Sequence, residues 1–268
     1  MQLWKLFFVL GLLTILSKPV FAVGKLSQPY IGFEVGYSSS LPVGMSVDEA
    51  PNSMSKFVWD PPLQGWNSDL GNSAIYGIDL GYNFTRLFAL ELAYNYRPSY
   101  QYSKYQTVPT SKAIGSRIRY FDFNNYTIML DGILRLFALT PNLASLQERT
   151  IIEPIVDLGV GLASNTVTNF HGLCVDKQPG MIFSKMGDKT KYSFAAQAGA
   201  GFDLNFNKTW SARLGYRFLY GGKFNTQDYV TDDPDNQHPI TPGSGNSANA
   251  WKGTFTANEI YARLNVAF

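Results

Sequence analysis

The residues able to do chemistry in this 268-residue chain share one arrangement. Glu34, Asp79, Glu91, Asp131, Asp157, Asp203 and Glu259, with Arg97, Arg213, Arg217 and Arg263, each occupy a stretch in which small or polar residues take every second place. Carboxylates and guanidiniums so placed offer charge-assisted hydrogen bonding. Catalytic alternatives lack residues. His171 and His238 fall in segments read as loops, and neither belongs to a catalytic motif. Gly159-Val160-Gly161 and Gly199-Ala200-Gly201 invite a nucleotide-binding reading, yet no helix-periodic stretch follows either, as a dinucleotide fingerprint requires. Asp232, Asp233, Asp235 and Asn236 offer oxygen ligands without the spacing of a calcium loop. Cys174 is the single cysteine, which excludes a disulfide framework and a thiolate metal cluster. The expectation is a protein that is not an enzyme and carries no cofactor and no metal.

The elements that position these residues have a period of two, the mark of strands. In residues 30–38, Ile31, Phe33, Val35 and Tyr37 oppose Gly32, Glu34 and Gly36. The scheme repeats in 74–84, 87–97, 153–163, 192–204, 210–220 and 259–268. In 121–133, Tyr126, Ile128 and Leu130 form the apolar face and Thr127, Met129 and Asp131 the polar one. Phe121 and Phe123 have the opposite parity from Tyr126, so a β-bulge is expected between them. Pro154 belongs near a strand start, where a missing N–H is least costly.

Residues 1–22 read as a cleaved signal peptide. Lys5 precedes an apolar run from Leu6 to Leu16, too short for the roughly 20 residues of a spanning helix, and Val20-Phe21-Ala22 suits a cut before Val23. Of 22 basic and 20 acidic residues, Lys5 and Lys18 leave with the leader, so the mature chain has 20 of each. That balance argues against nucleic acid as a partner. Aromatics reach 15% while charged residues stay at 16%, at a mean hydropathy of −0.09. A chain combines these values with membrane insertion when only alternate side chains meet lipid.

Large side chains opposite glycines and charges suit a narrow tube with its bulky face outside. In a soluble sandwich the apolar face would fill the interior instead. The reading is therefore all-β: an eight-stranded antiparallel up-and-down transmembrane β-barrel over residues 23–268. Long extracellular loops are expected near 38–73, 98–117, 164–191 and 221–251, alternating with short turns. The link 135–151 is compatible with extended strands or a short helix. Charges inside the tube must pair, because an unpaired buried charge is costly.

Four segments, EPIVDLGVG, FAAQAGAGFDL, SARLGYRF and the terminal YARLNVAF, carry a resemblance. With the leader, the chain resembles the small outer-membrane β-barrel proteins of Gram-negative bacteria, of the opacity-protein and surface-antigen type. The resemblance implies an outer-membrane location, with lipid, lipopolysaccharide and the outer-membrane assembly machinery as partners. Ile260, Ala262, Leu264, Val266 and Phe268 are similar to the C-terminal signal read by that machinery. It also implies a filled barrel with an envelope-structural or adhesin-like role and a host-surface ligand for its loops. Passage of a small apolar ligand, or a narrow pore, is the alternative. Eight strands enclose room for side chains or at most one small ligand. In the first loop Phe57, Trp59 and Trp66 either anchor a partner or pack over the barrel mouth. Lysines of the second and third loops, among them Lys104, Lys112 and Lys189, would attract lipopolysaccharide phosphates or serve solubility.

Overall fold

Alternation in the sequence becomes a single antiparallel sheet. The computed structural model describes residues 28–47, 69–106, 117–139, 152–175, 180, 182–207, 209–227, 230–232 and 250–268. The strands are β1 (Gln28–Ser40), β2 (Ser46–Val47), β3 (Asn72–Asn83), β4 (Phe88–Gln106), β5 (Arg117–Arg135), β6 (Ile152–Cys174), β7 (Ile182–Met186), β8 (Lys189–Asn205), β9 (Trp210–Asn225), β10 (Val230–Asp232) and β11 (Trp251–Ala267). β1 pairs with β3, β3 with β4, β4 with β5 and β5 with β6. β6 pairs with β8, β8 with β9, β9 with β11, and β11 with β1. The course of the sheet is ring-like, so it forms a barrel-like wall. The short β2, β7 and β10 extend that wall at one end, where β2 pairs with β11 and β7 with both β6 and β10.

Two short turns close the other end. Thr85 Oγ1 accepts from the backbone N–H of Leu87 at 3.2 Å and of Phe88 at 2.9 Å. Asn207 Oδ1 accepts from those of Thr209 and Trp210, both at 2.8 Å. Side chains that mimic a backbone turn in this way fix the register of the strands they join. The link after β5 begins as a 3-10 turn at Leu136–Leu139, and residues 140–151 lie outside the described residues. So do residues 1–22, expected to be a leader, and the aromatics Phe57, Trp59 and Trp66.

Strands run further at the long-loop end than the sequence predicts. β4 continues through Gln106, β6 to Cys174 and β9 to Asn225, so much of the expected loops at 98–117, 164–191 and 221–251 is strand. His171 accordingly stands in β6 and not in a loop.

The expected bulge in β5 is absent. Phe121, Phe123, Asn125, Thr127, Met129 and Asp131 are all buried on one face in unbroken alternation. The irregularity falls on the neighbours. β4 shifts register between Arg97 and Tyr100, where Ser99 has φ 61°, and the β5–β6 pairing shifts between Tyr120 and Asp122, beside Asn169 at φ 54°.

Outward side chains form an apolar belt: Phe33, Leu80, Leu92, Ile128, Leu158, Phe194, Leu214 and Ile260 are among those exposed. Leu158 and Ile260 are each 66% exposed, too open for side chains packed in a core. On β6 the belt runs from Ile152 to Leu162. Eleven residues at about 3.3 Å per step and a tilt of about 40° stand about 25 Å tall, the height of a hydrocarbon layer.

The inward face has two zones. Level with the belt it is polar and charged. Beyond the belt, at the long-loop end, it is aromatic: Tyr100, Tyr102, Phe121, Phe123, Phe170, Phe224, Trp251 and Phe255 form one buried cluster.

Candidate functional site

The charged zone is built from residues two apart on facing strands. Cross-strand register sets Glu34 beside Arg263, Arg263 beside Arg213, and Arg213 beside Asp203. Alternating signs then connect along the tube. Arg97 donates from Nε to Glu259 Oε1 at 2.5 Å and from Nη2 to Oε2 at 3.0 Å. Arg217 reaches the same Glu259 from Nε at 2.6 Å and Glu34 Oε1 from Nη2 at 2.6 Å. Arg263 bridges Glu34 Oε2 at 2.7 Å and Glu91 Oε2 at 2.5 Å. Arg213 bridges Glu91 Oε1 at 2.8 Å and Asp203 Oδ1 at 2.7 Å. The planar fork of arginine lets each cation serve two carboxylates, which a lysine's point charge would do less well.

The ladder is tied off at both ends. Ser38 Oγ donates to Glu259 at 2.8 Å, and the Tyr100 hydroxyl in turn donates to Ser38 Oγ at 2.5 Å, joining the ladder to the aromatic zone. At the short-turn end Arg135 lies 3.8 Å from both Glu153 and Asp203 and donates to Asn83 Oδ1 at 2.6 Å.

All eleven residues singled out in the sequence are buried here, and eight stand in the ladder. Asp79 lies at its side, with Oδ2 2.9 Å from Arg263 Nε but without a hydrogen-bond partner for either oxygen among the described residues. Asp131 accepts from Gln197 Nε2 at 2.7 Å, and its Oδ2, like Asp157 Oδ1, has no hydrogen-bond partner among the described residues. Neither of these two aspartates has a cation paired with it there.

Several members were not singled out in the sequence: Tyr30, Ser38, Arg135, Glu153 and Gln197. Glu153 and Arg135 are on the inward parity of Asp157 and Asp131, so carrying the alternation to the strand ends finds them. Tyr30 donates to Glu91 Oε1 at 2.5 Å, and its ring lies over Gly81, where an added Cβ would come 2.1 Å from Tyr30 Cζ. Tyr261 lies over Gly215 in the same way and faces Arg217, its ring centroid 4.7 Å from the guanidinium carbon. Inward glycines here make room for tyrosines as well as for charged groups.

In the aromatic zone Phe123 contacts Phe224 at 5.0 Å and Phe255 at 5.1 Å between ring centroids, and Tyr100 meets Phe255 at 5.2 Å. Tyr102 stacks on Phe121 at 4.6 Å and Phe170 meets Trp251 at 5.5 Å. These spacings are those of packed aromatic pairs. Ile260 and Leu264 on the outward face of β11 are exposed, as is Phe268 just past its end, with Ala262 and Val266 half-buried between them. The Phe268 N–H donates to Pro29 O at 3.2 Å, holding the chain end against β1. His238, Asp233, Asp235 and Asn236 lie outside the described residues.

A ring-like antiparallel sheet with an apolar belt and a charged interior coincides with a match over residues 8–242 to the family model described as outer membrane protein beta-barrel domain. The chain belongs to that family. It is a small Gram-negative outer-membrane β-barrel protein, and the apolar belt is the surface it presents to lipid. Solved structures with a similar course include Neisserial surface protein A, 13% identical at a TM-score of 0.45, covering 90% of this chain and 97% of that one. Pseudomonas aeruginosa OprG is 13% identical at a TM-score of 0.45, covering 91% and 97%. The Escherichia coli outer membrane protease OmpT is 10% identical at a TM-score of 0.46, covering 92% and 99%. No curated protein matches the chain.

Proposed function

We propose that this outer-membrane barrel protein is a closed, eight-stranded, up-and-down transmembrane barrel of the opacity-protein and surface-antigen type, sealed along its axis. It works at its long-loop end as a non-enzymatic envelope-structural or adhesin-like protein. The eight strands are β1, β3, β4, β5, β6, β8, β9 and β11. The mature chain begins after residue 22, the long-loop end faces outward, and the alternate apolar residues ending in Phe268 serve as the insertion signal.

One observation carries the reading: the interior is filled twice over, by the Arg97-to-Asp203 ladder and by the aromatic cluster beyond it. A solute would have to separate buried ion pairs and then displace rings from Tyr100 to Trp251. Either step is expensive, since breaking a buried pair by removing one partner costs about 3–5 kcal/mol. The non-enzymatic part rests on the sequence, in which neither His171 nor His238 belongs to a catalytic motif.

Planar-bilayer recording tests the seal. The purified, folded protein is expected to give no large, stable channels at low voltage; steady openings of that kind would contradict it. Cells displaying a protein shortened by Val58 to Trp66 test the adhesive role. Loss of adherence is expected, and unchanged adherence would count against it.

A further inference from the structure

A cavity of about 490 Å³ opens at the long-loop end, on the flank where the β3–β4 ladder stops and β4, β5 and β6 continue. Its floor is apolar and closed by the buried Leu70, Tyr102 and Phe121. Its rim is polar. Gln101 pairs across the strands with Asp122, and Asn169 Nδ2 donates to Asp122 Oδ2 at 3.2 Å, so an amide, a carboxylate and a second amide lie side by side. Next to them Tyr120 and His171 stack at 5.5 Å with 19° between their planes. Because a carbonyl only accepts, His171 Nδ1 is the donor to Asn169 O. The two non-glycine residues with left-handed backbone among the described residues, Ser99 and Asn169, both line this cavity. Bulges re-aim side chains in this manner next to binding sites.

We propose that the cavity binds a neutral saccharide ring. The lining holds one carboxylate and no lysine or arginine among the described residues, so a phosphate would meet Asp122 without a counter-charge. A hydrocarbon would leave the amides and the carboxylate desolvated and unpaired, which is costly. A saccharide satisfies both halves: its C–H face lies on the aromatic side chains and its hydroxyls meet Gln101, Asp122 and Asn169. Asp122 stands four residues beyond Tyr126 at the edge of the belt, about 10 Å further from the hydrocarbon along a tilted strand. That is the level at which lipid-borne sugars stand. The inference rests on the proposed outward orientation of the long-loop end.

The test is saturation-transfer NMR and calorimetry on the purified barrel in detergent, with two probes. One is the delipidated, dephosphorylated core oligosaccharide of lipopolysaccharide, which represents the protein's own membrane; the other is N-acetyllactosamine, which represents a foreign surface. Binding of either near about 1 mM supports the site and assigns the source. Tyr120→Ala and Gln101→Ala should each weaken it about tenfold, while Tyr120→Phe, which keeps the ring, should bind like the parent. Heat-modifiable gel mobility checks that each variant is folded. Absence of binding by both probes up to about 10 mM, or binding that survives Tyr120→Ala in folded protein, overturns the proposal. A sealed barrel that binds neither sugar loses this site alone; one that binds sugar yet conducts loses the sealed-barrel reading and keeps the site.

Discussion

Glu259 receives two guanidinium groups, Arg97 across both carboxylate oxygens and Arg217 on Oε2, and has no exposed surface. Asp131, equally buried, receives only an amide. The two acids therefore respond in opposite senses to loss of charge. Glu259→Gln strips Arg97 of its only carboxylate partner among the described residues and should cost about 3–5 kcal/mol, because a buried cation is left uncompensated. Asp131→Asn keeps shape and removes a carboxylate that forms no ion pair among the described residues, so it should be neutral or stabilising. Urea unfolding in detergent, followed by gel mobility, reads both: a lower midpoint for Glu259→Gln and an equal or higher one for Asp131→Asn. The reverse order would contradict the ladder as the device that holds the interior together.

At the scale of elements, β4, β5 and β6 exchange their apolar and polar faces part-way along. Below Tyr126 the outward residues of β5 are Ile128 and Leu130; above it they are Asn124 and Asp122, while Phe123 and Phe121 turn inward. Burial explains the exchange: lipid takes the apolar face within the belt, and beyond it water leaves the interior as the only dry place. Alternation in a sequence shows that two faces differ without showing which solvent each meets. The eight runs and their outward faces were therefore legible, whereas the aromatic zone was mistaken for a parity defect. The bulge that was present carried a weak signal in Pro98, since proline inside a strand pattern marks an edge or a bulge, but no glycine advertised the left-handed Ser99. The ladder was legible as a set of residues but not as partners, because pairing depends on register around the wall. Just past β11, Phe268→Ala removes an exposed aromatic. The folded, inserted fraction read by heat-modifiable mobility should fall; an unchanged fraction would contradict an insertion role.

For the whole molecule, the apolar belt, the charged ladder and the aromatic cluster describe one division of surfaces. In the proposed barrel, hydrocarbon surrounds the wall over about 25 Å, ion pairs fill the interior at that level, and rings fill it beyond. Each part depends on the others. A water-filled interior would not need a ladder tied from Tyr100 to Arg135, and a soluble protein would not leave Leu158, Leu162 and Ile260 open together. The most direct measurement is single-cysteine labelling along β6 in a Cys174→Ala background, in lipid vesicles, from Ile155 to Ala163. Outward positions 156, 158, 160 and 162 should resist a water-soluble maleimide and, once carrying a fluorophore, be quenched by a spin label on the lipid chain. Inward positions 155, 157 and 163, used because a Cβ at Gly159 or Gly161 would strike Asp131 or the Ile128 carbonyl, should escape the lipid quencher. Ready labelling from water at the outward positions, or lipid quenching at the inward ones, would contradict the account.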